Sequence, residues 1–271
     1  MGSHIFTGLG IVLAGAVLTG ALLVGDSVRG TLEARGLSRI AEADAVLATR
    51  EREFRADLAE ELAGHLVDVQ LAPAWRMVGQ GRSESAGLGG VQVVGCDARM
   101  GAMAHKPWPQ PEPGEAFVSE SLAQELGLKE GHELRVRVPA PSALSLDLAL
   151  TPADESTVGL RMKVGRILLP AEWSEFSLHS SSEPAHNAFV NLAWLQGELQ
   201  REGAANLLLA SGKAGQSSAQ VQAQCNEALA RAWRWSDAQI RVLSNDGWTE
   251  LSTERVFLDA IIDKTARTLQ R

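Results

Sequence analysis

The residues with chemistry to offer are few and poorly placed to cooperate. Lys213 follows Gly212, the pair that closes a phosphate-cradling loop of the form G-x-x-x-x-G-K-[ST]. Ala214 stands where that loop needs a hydroxyl, and Leu207 where it needs its first glycine. No nucleotide site is therefore expected. His179 and His186 share one polar stretch, but a metal ion needs further donors at suitable spacing, and the other histidines are scattered. No H-E-x-x-H, G-x-S-x-G or C-x-x-C occurs. Cys96 and Cys225 are too few for a disulfide framework; separate buried thiols are expected, with a pair in an oxidising compartment as the alternative. Asp57, Glu60 and Glu61 fall on the polar face of a helix whose apolar face is Phe54, Leu58 and Leu62, where a solvated role fits better than acid–base work. The expectation is a non-enzyme, with no catalytic, cofactor-binding or metal-binding residue and no cofactor.

The elements around these residues alternate irregularly. Ala45 to Ala48 predicts a short strand, and the Phe54 helix ends at Gly64. Val67 to Leu71 and Ala74 to Val78 predict two strands, Gly79 to Gly90 a Gly/Ser loop, and Val91 to Val94 a buried strand. Pro107, Pro109, Pro111 and Pro113 make residues 105–114 an extended, exposed connector. Phe117-Val118 is a strand, and Ser119 is the expected N-cap of a helix through Leu126 with Gly127 as its stop. Leu134, Val136 and Val138 alternate with Arg135 and Arg137, and Leu160, Met162 and Val164 with Arg161 and Lys163. These two half-exposed strands should pair. Pro139 to Ser156 is a long loop, and Ser174 to Asn187 a polar, mobile one. Ala188 to Val190 is a strand entering a helix around Leu192, Leu195 and Leu199. Asn206 to Leu209 is a strand and Ser211 to Ser218 a loop. Val221, Cys225, Leu229 and Ala232 line a helix face, before a strand at Ile240 to Leu243. The end reads as a hairpin of Trp248 to Leu251 with Arg255 to Leu258, then a helix from Asp259. The rhythm is that of an α+β domain, in one or two lobes, rather than a doubly wound sheet.

The longest uniform feature lies at the start. Ile5 to Val24 is twenty residues without a charge. At about 1.5 Å per residue it makes a helix of about 30 Å, the thickness of a bilayer's hydrocarbon core. It exceeds the apolar region of a signal peptide, and no A-x-A-like cleavage site lies between Gly20 and Ser27. The expected division is a transmembrane helix over residues 1–25 and a globular domain over 26–271. Gly10/Ala14, Ala16/Gly20 and Ala21/Gly25 are small-xxx-small pairs that let membrane helices approach closely. Val28, Leu32, Leu37 and Ile40 carry helical spacing beyond the run. Arg29, Arg35 and Arg39 flank its C-terminal side, and the positive-inside rule would draw that side to the cytoplasm.

The net charge of −8, with 33 Asp and Glu against 25 Lys and Arg, leaves no basic surplus for nucleic acid. Apolar residues at 45% suffice for a core, while aromatics at 5% and no tyrosine argue against a base-stacking or carbohydrate platform.

The stretch Leu-Thr-Gly-Ala-Leu-Leu-Val-Gly-Asp-Ser-Val-Arg-Gly-Thr-Leu (Leu18 to Leu32) resembles the first membrane helix and exit of FtsX-like ABC transporter permeases. The domain after it is similar to their MacB-like periplasmic core domain. The resemblance runs through Phe54-Arg-Ala-Asp-Leu58, Val91-Gln-Val-Val-Gly-Cys-Asp97, the strand, helix and Gly-turn of Val118 to Val138, Ala188 to Gln196, and Arg255-Val-Phe-Leu-Asp259. It implies a non-catalytic permease subunit of an ABC-type transporter in the bacterial inner (cytoplasmic) membrane, with its main domain in the periplasm or outside the cell. That side opposes the one the arginines favour. Implied partners are a separate ABC ATPase subunit, further permease transmembrane helices or a second permease copy, and membrane lipid. The alternative is a single-span membrane-anchored extracytoplasmic binding or sensor domain.

Overall fold

A computed structural model describes residues 19–20, 22, 24–31, 36, 39–40, 43–49, 52–141, 157–179, 181, 183–245 and 248–253. They belong to two units, Met1–Ala41 with Ser177–Pro184, and Glu42–Phe176 with Ala185–Arg271. In the first unit residues 24–31 are helical, and the Thr31 hydroxyl donates to the Ser27 carbonyl at 2.8 Å. Arg39 donates to the Glu183 carbonyl within the same unit. Most of the run Ile5 to Val24 lies outside the described residues. Among the described residues no helix is long and apolar enough to cross a membrane.

The second unit runs β1 (Ala45–Ala48), β2 (Phe54–Arg55), α1 (Leu58–Ala63), β3 (Val69–Arg82), β4 (Gly87–Cys96), α2 (Ala98–Met103), β5 (Glu115–Ser119), α3 (Glu120–Leu126), β6 (Glu133–Pro139) and β7 (Thr157–Leu168). It continues with β8 (Asn187–Asn191), α4 (Leu192–Glu198), β9 (Ala204–Ala205), β10 (Leu207–Gly212), α5 (Ser218–Ala232), β11 (Ile240–Asn245) and β12 (Trp248–Thr253). Eight strands form a mixed sheet in the order β1-β10-β3-β4-β8-β5-β7-β6, and β6 pairs again with β3. The strands from β3 to β6 thus close into a barrel, with β1 and β10 extending from the first half of β3. β4/β8 and β5/β7 are parallel, and the other pairs antiparallel.

Alternation fixes which face looks inward. Leu134, Val136 and Val138 of β6 and Leu160, Met162 and Val164 of β7 fill the barrel with Val91, Val93, Val118 and Val190. Leu122 and Leu126 of α3 and Leu192 and Leu195 of α4 complete this cluster. Fully burying a Leu or Val side chain contributes about 1.5–3 kcal/mol, so this cluster is the main stabilising element. The Ser119 hydroxyl caps α3 by accepting from Leu122 N at 3.3 Å, and Gly127 ends it in the left-handed conformation at φ 62°. A second cluster, with Phe54, Leu58, Leu62, Leu71, Leu208 and Val221, seats α1 and α5 on the end of the sheet.

The expected pairing of the two arginine-bearing strands is present as β6 and β7, and Cys96 and Cys225 are both free. Several local expectations are corrected. Gly79 to Gly90 is not a loop: β3 runs to Arg82, turns at 83–86 and returns as β4. Gly79 is there because a Cβ would meet the Arg137 carbonyl oxygen at 2.3 Å, where β3 meets β6. The two strands expected at Val67 to Leu71 and Ala74 to Val78 are one, passing through Pro73. Ala74 turns its carbonyl toward β10, accepting from Asn206 N at 3.2 Å. Successive backbone groups point to opposite sides of a strand, so the N–H that Pro73 lacks would face β4, which pairs only from Ala74 onward.

Phe54 opens β2, paired with β9, and the helix begins only at Leu58. The proline-rich connector is extended but not uniformly exposed, because Trp108 is buried. The segment Ser174 to Asn187 is fixed at both ends by buried residues, Ser174 and Asn187. β12 pairs with β11; Arg255 to Leu258, its expected hairpin partner, and the helix expected from Asp259 lie outside the described residues.

Candidate functional site

Among the described residues of the second unit, polar groups converge at several places, and the two nearest the barrel strands β4, β5 and β8 are braces. At the first, Asn187 of β8 donates through Nδ2 to the Ser174 and Phe176 carbonyls, both at 2.8 Å. Gln92 of β4 donates through Nε2 to Asn187 Oδ1 at 2.8 Å and to the Phe176 carbonyl at 3.0 Å. Arg76 Nη1 donates to Gln92 Oε1 at 3.0 Å. Burial pushes the Arg76 guanidinium down from its ordinary value. The Ser119 hydroxyl accepts from Asn187 N at 3.0 Å and donates to the Ala185 carbonyl at 3.2 Å. It touches no base that would make it a nucleophile. Among the described residues, Ser174 Oγ and His186 Nδ1 are buried and find no hydrogen-bond partner.

At the second, the carboxylate of Glu172 is buried, accepts from Leu169 N at 2.9 Å and pairs with Arg166 and, at 3.5 Å, Lys106. Trp108 Nε1 donates to the Glu172 carbonyl at 2.9 Å. The indole packs on Phe189 and Phe117 with ring centres 5.4 and 6.0 Å apart. A buried carboxylate that accepts a backbone hydrogen bond and pairs with two cations depends on those partners, so this arrangement clamps the connector to the sheet.

The groups singled out in the sequence are dispersed. Lys213 pairs with Asp68, and a Cβ at Gly212 would meet Val221 Cγ2 at 2.6 Å, so this turn packs on α5. His179 belongs to the first unit and His186 to the second. Among the described residues no group of three or more His, Cys, Asp or Glu is placed to hold a metal ion. Glu61 accepts from Arg55 and, at 2.9 Å, from Arg234; the Arg55 hydrogen bond leads in holding its carboxyl below the ordinary range. Arg55 also donates through Nε to Asp237 Oδ1 at 3.0 Å, tying β2 to the turn before β11. Asp57 precedes α1 without capping it through its side chain. Burial pushes both thiols up, Cys96 with a smaller contribution from Asp97.

An apolar cleft of about 100 Å³ lies beside Cys225, between α5 and the β1/β10 edge, with Val46, Leu47, Leu208 and Leu229 on its walls and Gln222 and Asn226 at its polar side. Sequence reasoning missed Gln92, Asn187, Glu172 and Asp237. Polar residues inside runs of otherwise apolar or aromatic character were the available signal, as in Val-Gln-Val at 91–93 and Asn-Ala-Phe-Val at 187–190.

No protein-family profile matches the sequence, and no curated relative is found by sequence. By fold, the chain is similar to the extracellular domain of the noncanonical ABC-type transporter YknZ from Gram-positive bacteria. That match has a TM-score of 0.42 and 10% identity, covering 66% of this chain and 82% of the other. The chain is also similar to the periplasmic region of MacB from Actinobacillus actinomycetemcomitans, with a TM-score of 0.44 and 7% identity, covering 88% of this chain and 98% of the other.

Proposed function

We propose that the chain is the first membrane helix and extracytoplasmic domain of an ABC-type permease subunit. It transmits ATPase-driven movement of the membrane helices to a substrate or partner outside, and does no chemistry of its own. The observation that carries this reading is the charge-free run Ile5 to Val24, continued by a helical stretch over residues 24–31. No proline separates it from the mixed α/β domain. A run of that length suits a bilayer, and a helix leaving it without a breaker would carry a tilt into the domain. The ordered motifs of the sequence, from Leu18 to Asp259, support the permease reading. Co-purification tests it: the tagged full-length protein, extracted from native membranes, should bring down an ABC ATPase, and isolation with no ATPase under mild extraction would contradict it.

The cleft beside Cys225 favours a second reading, a single-span anchored sensor whose ligand would be a small apolar molecule. On that reading the same co-purification brings down no ATPase.

A further inference from the structure

The outer face of the barrel at β3, β6 and β7 has a composition unlike the rest of the chain. The register sets Arg82 opposite Arg135 and Arg135 opposite Arg161, so three arginines lie side by side across three strands. The row on one side is Gln80, Arg137 and Gly159, and on the other Glu133 lies opposite Lys163. β4 continues the rows beyond β3 with Gly87 and Gly89, which add neither bulk nor charge. Arg82, Arg135, Arg137, Arg161 and Lys163 are all exposed. Glu133 pairs with Arg135 and Arg161. Of the described acids on the strands themselves, Glu115 of β5 lies opposite Lys163; its carboxylate lies where a Cβ on Gly165 would be and accepts from Glu112 N at 3.2 Å.

The fold asks only that these positions be polar, since their neighbours Leu134, Val136, Leu160 and Met162 point inward. In a chain with 33 acids to 25 bases, the same face could have been acidic or mixed. Like charges directly opposite each other on neighbouring strands are destabilising; here Glu133 pairs with two of the arginines, and the strand positions keep a surplus of positive charge.

We propose that this face is a docking surface for an extended acidic segment of a partner protein. Two features select that occupant. Alternate residues of a strand repeat every 6.4–6.8 Å or so, the repeat of Arg135 to Arg137 and of Arg161 to Lys163 along their strands. An extended peptide with Asp or Glu at every second position presents carboxylates at that same repeat. Four of the five cations are arginines, whose planar fork takes a carboxylate through two parallel hydrogen bonds. The face carries no aromatic side chain on which a nucleic-acid base could stack. Glu133 holds two of the arginines in place and is the group an incoming carboxylate competes with. The proposal stands on the barrel alone and does not depend on the permease reading.

The test is fluorescence anisotropy of a labelled (Glu-Ser)6 peptide with the purified full-length chain in neutral detergent. Saturable binding is expected, weakening as salt rises from about 50 to 200 mM, with no binding of (Gln-Ser)6. Arg137→Glu with Lys163→Glu should weaken it at least about tenfold, and the milder Arg137→Gln with Lys163→Gln about threefold. Glu133→Gln should tighten it, a gain that loss of folding would not produce. Thermal melts of the variants separate misfolding from loss of the face. Absence of saturable peptide binding, or indifference to all three variants, overturns the proposal. So does tighter binding to polyphosphate or to phosphatidylglycerol vesicles than to the peptide. Self-association that the double reversal abolishes would assign the face to a second copy and overturn it too.

Discussion

Gly79 shows what one side chain decides. Its absent Cβ leaves room for the Arg137 carbonyl, which would otherwise sit 2.3 Å away, and closure of the barrel depends on that approach. Gly79→Ala should destabilise the domain by about 1–3 kcal/mol, the usual cost of overpacking, read as a lower urea midpoint. Glu172→Gln leaves Arg166 and Lys106 facing a neutral group in a buried site. Breaking such a pair typically costs about 3–5 kcal/mol, but Lys106 stays exposed and Gln still accepts a hydrogen bond, so the low end is expected by the same measurement. Glu61 supplies a pH dependence. Its carboxyl is held below the ordinary value chiefly by the Arg55 hydrogen bond, so its contribution is complete above the unfolded value and lost as pH falls through the folded one. Stability should fall as pH drops below the ordinary carboxylate range, and Glu61→Gln should flatten part of that slope. These residues were hard to read in the sequence for one reason. A carboxylate looks the same whether it faces water, as expected of Glu61, or an arginine brought from far along the chain, as Arg234 is.

At the level of elements, what was legible was periodic. Leu134, Val136 and Val138 and their partners on β7 announced their inward face. Ser119 and Gly127 announced the ends of α3. The misread elements are those whose shape is set by a neighbour. The Gly79 to Gly90 stretch looked like a loop because the strand that Gly79 allows to approach, β6, lies more than fifty positions on. Phe54 looked helical because its pairing with Ala205 is non-local. The buried braces were invisible for the same reason. The helical stretch at residues 24–31 carries its own prediction. Thr31→Pro removes a backbone donor and breaks the helix at a cost of about 3 kcal/mol or more. In the complete transporter it should uncouple ATP hydrolysis from transport while the barrel's thermal melt stays unchanged. Transport at the normal rate would make the stretch a tether.

At the scale of the molecule, one chain carries both a membrane-length apolar run and a barrel that braces itself, with one face of concentrated positive charge in an otherwise acidic sequence. The flanking Arg29, Arg35 and Arg39 pull the expected orientation toward the cytoplasm, and the motif resemblance pulls it outward. That conflict makes the side of the membrane the most exposed point of the proposed function. The direct measurement is a pair of reporters fused after Leu269 in living cells. Alkaline phosphatase activity with no green fluorescence is the predicted result, and fluorescence with no phosphatase activity would contradict the account.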